Sequence, residues 1–313
     1  MTRQRIIDFH SHMGDIFANK LNVIYDLDAA IDSSKFYRDP FVALSESGFS
    51  EPLIDPSKPE EITNLIECSH ARTRVNTLQH LTERMDKYGL DYVCLYPILP
   101  HLGFEDYLAA AGLEPRILPF TSADWTRDVD EIGEKLLKDV EAGAKGLKIH
   151  PVLQPISLQD PKVAHVLRYW AKTDLPVTSH CGNNSYYNDE AGQATEVPEY
   201  GEPKYFVQAV HDNPDCKWVS AHAGGLTGWE LDYLGDEFKG YDRLWVDTTF
   251  RNAADITKML EYFGEDRILF GTDTPFALTQ QSVDEVYKAV GEGSVAADKI
   301  LFRNAADLMK LND

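Results

Sequence analysis

The chain has 313 residues, of which 43% are hydrophobic, so it can bury one large core. Its formal net charge of −21 argues against nucleic acid or an anionic membrane as partner, because either requires a basic surface. No apolar run approaches the length of a membrane span and residues 1–5 carry no secretory signal, so we expect a cytoplasmic protein. The four cysteines show no paired spacing, which indicates free thiols.

Short apolar runs rich in β-branched residues predict eight strands along the chain. They cover residues 6–10, 92–98, 116–122, 144–150, 176–180, 217–222, 244–248 and 267–271. Most runs are continuous rather than alternating, which is typical of parallel strands buried on both faces. Helical periodicity lies between them, for example over residues 129–140, 163–170 and 255–263. Asp160 and Ser282 are predicted helix starts.

Strands that alternate with helices in this way predict an α/β fold, the (β/α)8 TIM barrel. Residues 13–69 follow the first strand directly and form a long insertion, since they exceed the length of a simple loop. This insertion is rich in aromatic residues and turn formers. One interpretation is a packed insertion or dimer arm, and the other is a lid over the substrate. The same segment can do both. No repeat or linker divides the chain, so we expect one domain over residues 1–313.

Candidate metal ligands lie at the ends of several predicted strands. His10 and His12 are two residues apart on the first strand, so alternation places them on one face, with Asp8 one layer deeper on that face. His180 ends the fifth strand, and Asp273 follows the eighth. Imidazole and carboxylate groups together form the mixed sites that bind zinc and similar ions. The sequence therefore predicts a metal site at the mouth of the barrel.

The order of these motifs resembles that of the amidohydrolase superfamily, in the amidohydrolase-related branch that includes decarboxylases. The resemblance extends along nearly the whole chain. It is carried by residues 8–12, 146–151, 221–225, 266–275 and 300–306. It implies the TIM-barrel fold but no particular substrate, because the family includes hydrolases, decarboxylases and hydratases on one scaffold.

The resemblance implies that His10, His12, His180 and Asp273 bind one divalent metal, with Zn²⁺ as first expectation and Mn²⁺ as second. It also implies that His222, at the end of the sixth strand, is the acid/base that handles metal-bound water. Asp273 can accept a proton from the same water. A divalent metal lowers the pKa of bound water to about 7, which makes hydroxide available at neutral pH.

Lys148, in the predicted fourth strand, has three interpretations. In family members with two metals, a lysine at this strand is carboxylated and bridges the metals. In members with one metal it can remain a cation that holds a substrate carboxylate or an oxyanion. It can also be a buried lysine paired with a strand-end acid. Because burying an unpaired ammonium is costly, we predict a catalytic role for Lys148 as an unmodified cation.

Further residues that follow predicted strands are candidates for substrate contact, since barrel enzymes place specificity residues there. His150 shares a face with Lys148 and could contact substrate, bind the metal or make structural hydrogen bonds. Arg251 could hold a carboxylate bidentately or be a solvated loop arginine. The remaining candidates are Tyr96, Trp125, Asn183, Tyr186 and Tyr187.

These observations predict a metal-dependent hydrolase that directs metal-bound water at a small, carboxylate-bearing molecule. The alternative is a nonoxidative decarboxylase of an aromatic or muconate-like acid with the same ligands. A minor alternative is a non-catalytic metal- or ligand-binding protein. The motif Lys148-x-His150-Pro151 resembles that of family hydrolases, which favours hydrolysis. A homo-oligomer is compatible with the sequence.

Overall fold

The protein is described by a computed structural model that covers residues 3–18 and 30–311. Its strands are β1 Ile7–Ser11, β2 Tyr92–Leu95, β3 Ile117–Pro119, β4 Thr121–Ser122, β5 Leu147–Ile149, β6 Pro176–Ser179, β7 Lys217–Ser220, β8 Leu244–Asp247 and β9 Ile268–Leu269. All strand pairs are parallel. They form a three-stranded sheet in the order β1-β2-β3 and a six-stranded sheet in the order β4 to β9.

Main-chain hydrogen bonds connect the two sheets on both sides. β3 and β4 are separated only by Phe120, whose N–H donates to a carbonyl of β2 at 3.0 Å. On the other side, the N–H of Phe9 donates to the carbonyl of Phe270 and that of His12 to the carbonyl of Thr274, both at 2.8 Å. The first strand thus lies beside the segment that begins with β9, as the predicted (β/α)8 barrel requires.

Helices follow most of the strands. They are α1 Pro40–Glu46, α2 Pro59–Arg74, α3 Leu78–Tyr88, α4 Phe104–Leu113, α5 Val129–Ala142, α6 Pro161–Trp170, α7 Glu190–Gln193, α8 Pro203–Asp212, α9 Trp229–Phe238, α10 Ala253–Phe263, α11 Thr279–Val290, α12 Val295–Asp298 and α13 Asn304–Leu308. Among the described helices, none combines the length and apolar character that crossing a membrane requires. All four cysteines are buried free thiols, as predicted.

The predicted helices are present, but one predicted start is wrong. Asp160 is the N-cap of α6, and its carboxylate accepts the N–H of Lys162 at 2.8 Å. Ser282 instead lies inside α11, which begins at Thr279. The hydroxyl of Ser282 donates to the carbonyl of Leu278 four residues earlier, which is how serine is accommodated within a helix.

The predicted third strand is broken at Phe120. Its ring lies 4.7 Å from the ring of Tyr96 and 5.6 Å from that of Phe9, between centroids. The three rings are fully buried and pack against one another below the site described next. Edge-on and tilted contacts of this kind stabilise a core beyond the area that they bury.

β1 contains a bulge that changes the expected alternation. Between Asp8 and Ser11, β1 advances three residues while β2 advances two. The carboxylate of Asp8 accepts from Arg84 of α3 at 2.9 Å and from the hydroxyl of Thr272 at 2.6 Å. The prediction that Asp8 lies one layer below the histidine pair, on the same face, is therefore wrong. Asp8 instead connects β1 with α3 and the segment after β9.

The described part of the insertion, residues 13–18 and 30–69, packs on loops that follow strands. The Tyr187 hydroxyl, after β6, donates to the carbonyl of Phe17 at 2.8 Å. In α2, which extends the insertion, Arg72 Nε donates to the carbonyl of Pro275, after β9, at 2.7 Å. These bonds hold the segment at the carboxyl ends of the strands. Residues 19–29 of the predicted insertion lie outside the described residues.

Candidate metal centre and active site

Three predicted ligands meet where β1 and the segment after β9 run side by side. Nε2 of His10 and Nε2 of His12 lie 3.3 and 3.2 Å from the same oxygen, Oδ1 of Asp273. All three residues are buried. Gly271 permits this close approach, because a Cβ at that position would lie 2.9 Å from the Cβ of His10.

His222 approaches the same carboxylate from the turn after β7. Its Nε2 lies 3.9 Å from Oδ2 of Asp273. Its main chain is left-handed, with φ 56° and ψ 21°, which a residue with a Cβ seldom adopts. The N–H of His222 donates to Oδ1 of Asp247 at 3.0 Å, and its carbonyl accepts from Nη2 of Arg251. One ligand atom each from His10, His222 and Asp273 lies within 4.8 Å of the other two.

The histidine pair is oriented through the ring nitrogens that face away from Asp273. Nδ1 of His10 lies 2.8 Å from Oδ2 of Asp247, and Nδ1 of His12 lies 2.9 Å from the carbonyl of Tyr96. Carboxylate and carbonyl oxygens only accept, so both Nδ1 atoms carry the proton. In the neutral rings the Nε2 lone pairs then point at Asp273. Metal-binding histidines are commonly oriented in this way.

This donor set fits a divalent cation. Two nitrogen lone pairs that face one carboxylate oxygen repel that oxygen unless a proton or a cation lies between the nitrogens and the oxygen. Neutral imidazole and carboxylate are also the ligand types that zinc and manganese accept. The residues that would hold the ion are therefore His10, His12 and Asp273, with His222 and His180 next to them.

His180 lies beside this cluster, directly after β6. Its ring stacks on that of His150 at a centroid distance of 4.1 Å and lies 5.2 Å from the ring of His222. Its Nε2 lies 3.2 Å from the carbonyl of Gly182 and 3.1 Å from the hydroxyl of Tyr186. To bind a metal through Nε2, as the sequence predicts, His180 would exchange these partners for the ion.

Burial sets the protonation of these groups. It lowers the pKa of His222 to about 3 and holds the pKa values of His180 and His150 well below the usual range. These rings are therefore neutral at pH 7, the form that binds metals. Burial alone would raise the pKa of Asp273, but the interactions of its carboxylate with His10, His12 and His222 together outweigh burial, and the pKa stays below its ordinary value. Asp273 is consequently ionised.

Lys148 lies inside the barrel, on the inner side of the site. Its side chain is buried, and Nζ is 4.8 Å from the centre of the Tyr96 ring. Burial lowers its pKa to about 8, although the charges of Asp273 and Asp247 oppose part of that effect. Within residues 3–18 and 30–311, no carboxylate lies within 4 Å of Nζ. The catalytic role of Lys148 remains a prediction.

A cavity of about 80 Å³ lies next to the cluster. Its polar end consists of His180, His222 and Asp273. Most of the remaining wall is apolar. It includes Phe17, Phe41, Leu65, Tyr186, Phe250 and Phe276. The first three come from the insertion, so the described part of the insertion covers the site, and its role as a lid remains a prediction. Phe17 is fixed there by ring stacking, with centroids 4.8 Å from His70 and 5.5 Å from Tyr186.

The predicted substrate contacts are distributed around this cavity, and none of these roles is tested. His150 lies behind His180, with Nδ1 accepting the N–H of Leu153 at 3.2 Å. Tyr96 lies beneath the metal ligands, with its ring 4.8 Å from that of His10. Two further candidates lie off the cavity: Trp125, which is partly buried, and Asn183, which is exposed. The neighbouring Asn184 lines the cavity instead.

Arg251 is buried behind the His222 turn. Its Nη2 donates to the carbonyls of His222 and Gly225, and its Nη1 lies 3.5 Å from a carboxylate oxygen of Asp255. Its donors thus meet main-chain oxygens and an acid in the first turn of α10, the helix that follows it. These contacts favour support of the turn, and substrate binding by Arg251 remains a prediction.

Asp247 is a residue of the candidate site that the sequence analysis missed. It is the last residue of β8, is fully buried, and contacts both His10 and His222. The signal was present, because an acid at the end of an apolar run is the pattern that singled out Asp273. Asp247 escaped notice because the predicted strand ended one residue later, at Thr248.

No curated protein matches the sequence significantly. Several solved structures match the fold. An uncharacterised TIM-barrel protein from Bordetella bronchiseptica is 18% identical, with a TM-score of 0.64 and 98% of each chain covered. A 5-carboxyvanillate decarboxylase from Novosphingobium aromaticivorans with bound manganese is 16% identical, with a TM-score of 0.60, covering 98% of this chain and 97% of that one. A probable 2-pyrone-4,6-dicarboxylic acid hydrolase from Acinetobacter baumannii is 15% identical, with a TM-score of 0.58 and coverage of 98% and 99%.

These similarities confirm the TIM-barrel fold. The family model described as amidohydrolase matches residues 102–311, which is more than half of the chain. The matched region contains His180, His222 and Asp273, and the histidine pair of β1 completes the cluster from outside it. The chain therefore belongs to the amidohydrolase family.

Proposed function

We propose that this protein is a metal-dependent decarboxylase of a small aromatic carboxylic acid. The observation that carries the proposal is the division of the cavity into a polar end at His180, His222 and Asp273 and a mostly apolar wall that includes five aromatic side chains. An aromatic acid would place its carboxylate at the polar end and its ring between the aromatic side chains. Among the similar folds with a named activity, decarboxylases outnumber hydrolases, which supports placing decarboxylation before hydrolysis.

A divalent metal held by His10, His12, His180 and Asp273 would supply the positive charge that binds and polarises the substrate oxygens. Zn²⁺ remains our first choice. The manganese bound to the structurally similar 5-carboxyvanillate decarboxylase supports Mn²⁺ as the second.

Decarboxylation breaks the bond between the carboxyl carbon and the ring, releases CO₂, and requires one proton at the ring carbon that keeps the electron pair. His222 is the group that we assign to relay this proton, because it lines the cavity and its Nδ1 has no partner among the described residues. Its ring is neutral at pH 7, so it would take up a proton from solvent water and pass it to the ring carbon. Asp273, 3.9 Å from its Nε2, would stabilise the ring while it is protonated. Lys148 would add positive charge beneath the substrate carboxylate.

Hydrolysis is the second candidate, and the sequence alone placed it first. The same His222 and Asp273 could accept a proton from an attacking water, and a probable hydrolase shares the fold. In either reaction we propose a single-domain cytoplasmic enzyme that acts on a small molecule, with neither nucleic acid nor membrane as partner.

The test is a product analysis with metal-free, Zn²⁺-loaded and Mn²⁺-loaded protein. The panel contains 5-carboxyvanillate, 2,6-dihydroxybenzoate and 2-pyrone-4,6-dicarboxylate, incubated in D₂O and followed by NMR and CO₂ release. We expect metal-dependent CO₂ release with one deuterium at the carbon that lost the carboxylate. Ring opening of the pyrone without CO₂ would replace decarboxylation by hydrolysis. Equal turnover by the metal-free protein would contradict both candidates.

A further inference from the structure

Asp247 connects the two halves of the candidate site. Its Oδ2 lies 2.8 Å from Nδ1 of His10, while its Oδ1 accepts the N–H of His222 at 3.0 Å and the N–H of Thr249 at 3.1 Å. The residue is fully buried at the end of β8. One carboxylate therefore contacts a candidate metal ligand with one oxygen and the main chain of the candidate acid/base with the other.

The contact with His10 decides which nitrogen of its ring carries the proton. A carboxylate accepts but cannot donate, so the proton of a neutral imidazole is held on Nδ1. Nε2 is then left with its lone pair, 3.3 Å from Oδ1 of Asp273. With the opposite tautomer, Nε2 would carry a hydrogen and could not bind a cation.

The contact with His222 fixes an unfavourable backbone. His222 and the following Ala223 both have positive φ, 56° and 45°. Residues with a Cβ stay in this region only when their surroundings hold them there. Asp247 binds the N–H of His222 from one side and Arg251 binds its carbonyl from the other. Together they aim the imidazole at Asp273.

We propose that Asp247 is a positioning residue that sets the tautomer of His10 and the backbone of His222 at the same time. It prepares the site for the metal and for proton transfer without touching either. The proposal rests on the metal site of the proposed function but not on which reaction that site catalyses.

The substitution Asp247→Asn tests this with little change in shape. The asparagine oxygen would still accept the hydrogen bonds from the main-chain N–H groups of His222 and Thr249. In the reverse orientation, the asparagine NH₂ group would face these two donors. In the first orientation the NH₂ group faces Nδ1 of His10 and forces the proton onto Nε2. We expect a folded protein whose affinity for Zn²⁺ and for Mn²⁺, measured by titration of the metal-free protein, falls at least tenfold.

The matched control is Asp139→Asn. Asp139 is also buried, and it accepts the hydroxyl of Thr121 at 2.6 Å away from the candidate ligands. This variant should bind both metals like the wild type. Wild-type metal affinity in Asp247→Asn would overturn the proposal.

A second measurement covers the case in which Asp247→Asn fails to fold. Long-range ¹H–¹⁵N correlation spectra of the wild-type, metal-free protein report the tautomer of each neutral histidine, and His10→Gln assigns the signal of His10. We expect the proton on Nδ1. A proton on Nε2 would overturn the proposal. If the wild type binds no metal but His10 shows the expected tautomer, the proposed function fails, and only the effect of Asp247 on the tautomer of His10 stands.

Discussion

The hydroxyl oxygen of Tyr186 lies 3.1 Å from Nε2 of His180. Tyr186 therefore occupies the position from which a metal would approach this candidate ligand. Burial raises the pKa of the phenol, so it keeps its proton at neutral pH. Once Nε2 binds a metal, the hydroxyl loses this partner and is free to donate to a substrate oxygen, because Tyr186 also lines the cavity.

Tyr186→Phe should retain the metal and lower kcat/KM about tenfold or more, the scale of one hydrogen bond to a charged group. The measurement is metal content together with steady-state kinetics on the substrate found by the product analysis. Tyr169→Phe is the control, since its hydroxyl donates to Asp130 on the exposed outer side of the barrel. Unchanged kinetics in Tyr186→Phe would remove the phenol from substrate binding.

His222→Asn should keep most of the metal and lower kcat by about 10²-fold or more, the usual contribution of a general acid or base. Metal content and kcat are measured on the same preparation, with His211→Asn on α8 as control. His222 also lies close enough to His10 and Asp273 to act as a ligand. A metal-free variant would therefore assign His222 to the metal site and not to proton transfer.

Lys148→Met should retain the metal and lower kcat/KM, because the buried ammonium would no longer attract the substrate carboxylate. The kcat/KM of the wild type should fall as the pH rises past about 8, where the ammonium of Lys148 deprotonates. A bound metal would lower this pKa further, because two positive charges repel each other. Lys148→Arg should move the limit to higher pH, because guanidinium stays protonated. Loss of metal in Lys148→Met, with rescue by short-chain carboxylates, would instead indicate a carboxylated lysine that bridges two metals.

Arg251→Met separates two roles for this guanidinium. Its donors hold the carbonyls of His222 and Gly225. The carbonyl of His222 would keep the N–H of Gly225 at 3.2 Å, but leaving the buried carbonyl of Gly225 unpaired costs about 1–3 kcal/mol. We therefore expect a lower Tm and a kcat reduced at least tenfold, with KM little changed. Arg127→Met, on the surface beside Asp124, is the control. A raised KM with unchanged kcat and Tm would establish the substrate contact that the sequence suggested.

The fold and the central cluster could be predicted because both depend on local patterns. Buried parallel strands are continuous apolar runs, and their carboxyl ends meet at one face of the barrel. That rule alone brings His10, His12 and Asp273 together. It also places the insertion at the site, because the insertion leaves the chain directly after the first strand.

The parts that failed depend on the path of the backbone after a strand ends. The bulge in β1 takes Asp8 to Arg84, because the extra residue breaks the alternation on which the prediction relied. In the loop after β6, Asn184 faces the cavity and Asn183 is exposed, a difference that no period-two rule determines. Arg251 is buried by the turn of another strand, and a contact that distant in sequence leaves no local signal.

The central claim is that one divalent metal binds between the histidine pair of β1, His180 and Asp273. Anomalous diffraction from crystals grown with Mn²⁺ tests it most directly. We expect a single strong peak per chain within about 2.0–2.3 Å of the ligand atoms of His10, His12, His180 and Asp273, and no peak in crystals of His180→Ala or a much weaker one. No peak at this cluster in the wild type, or two peaks bridged by a carboxylated Lys148, would contradict the account.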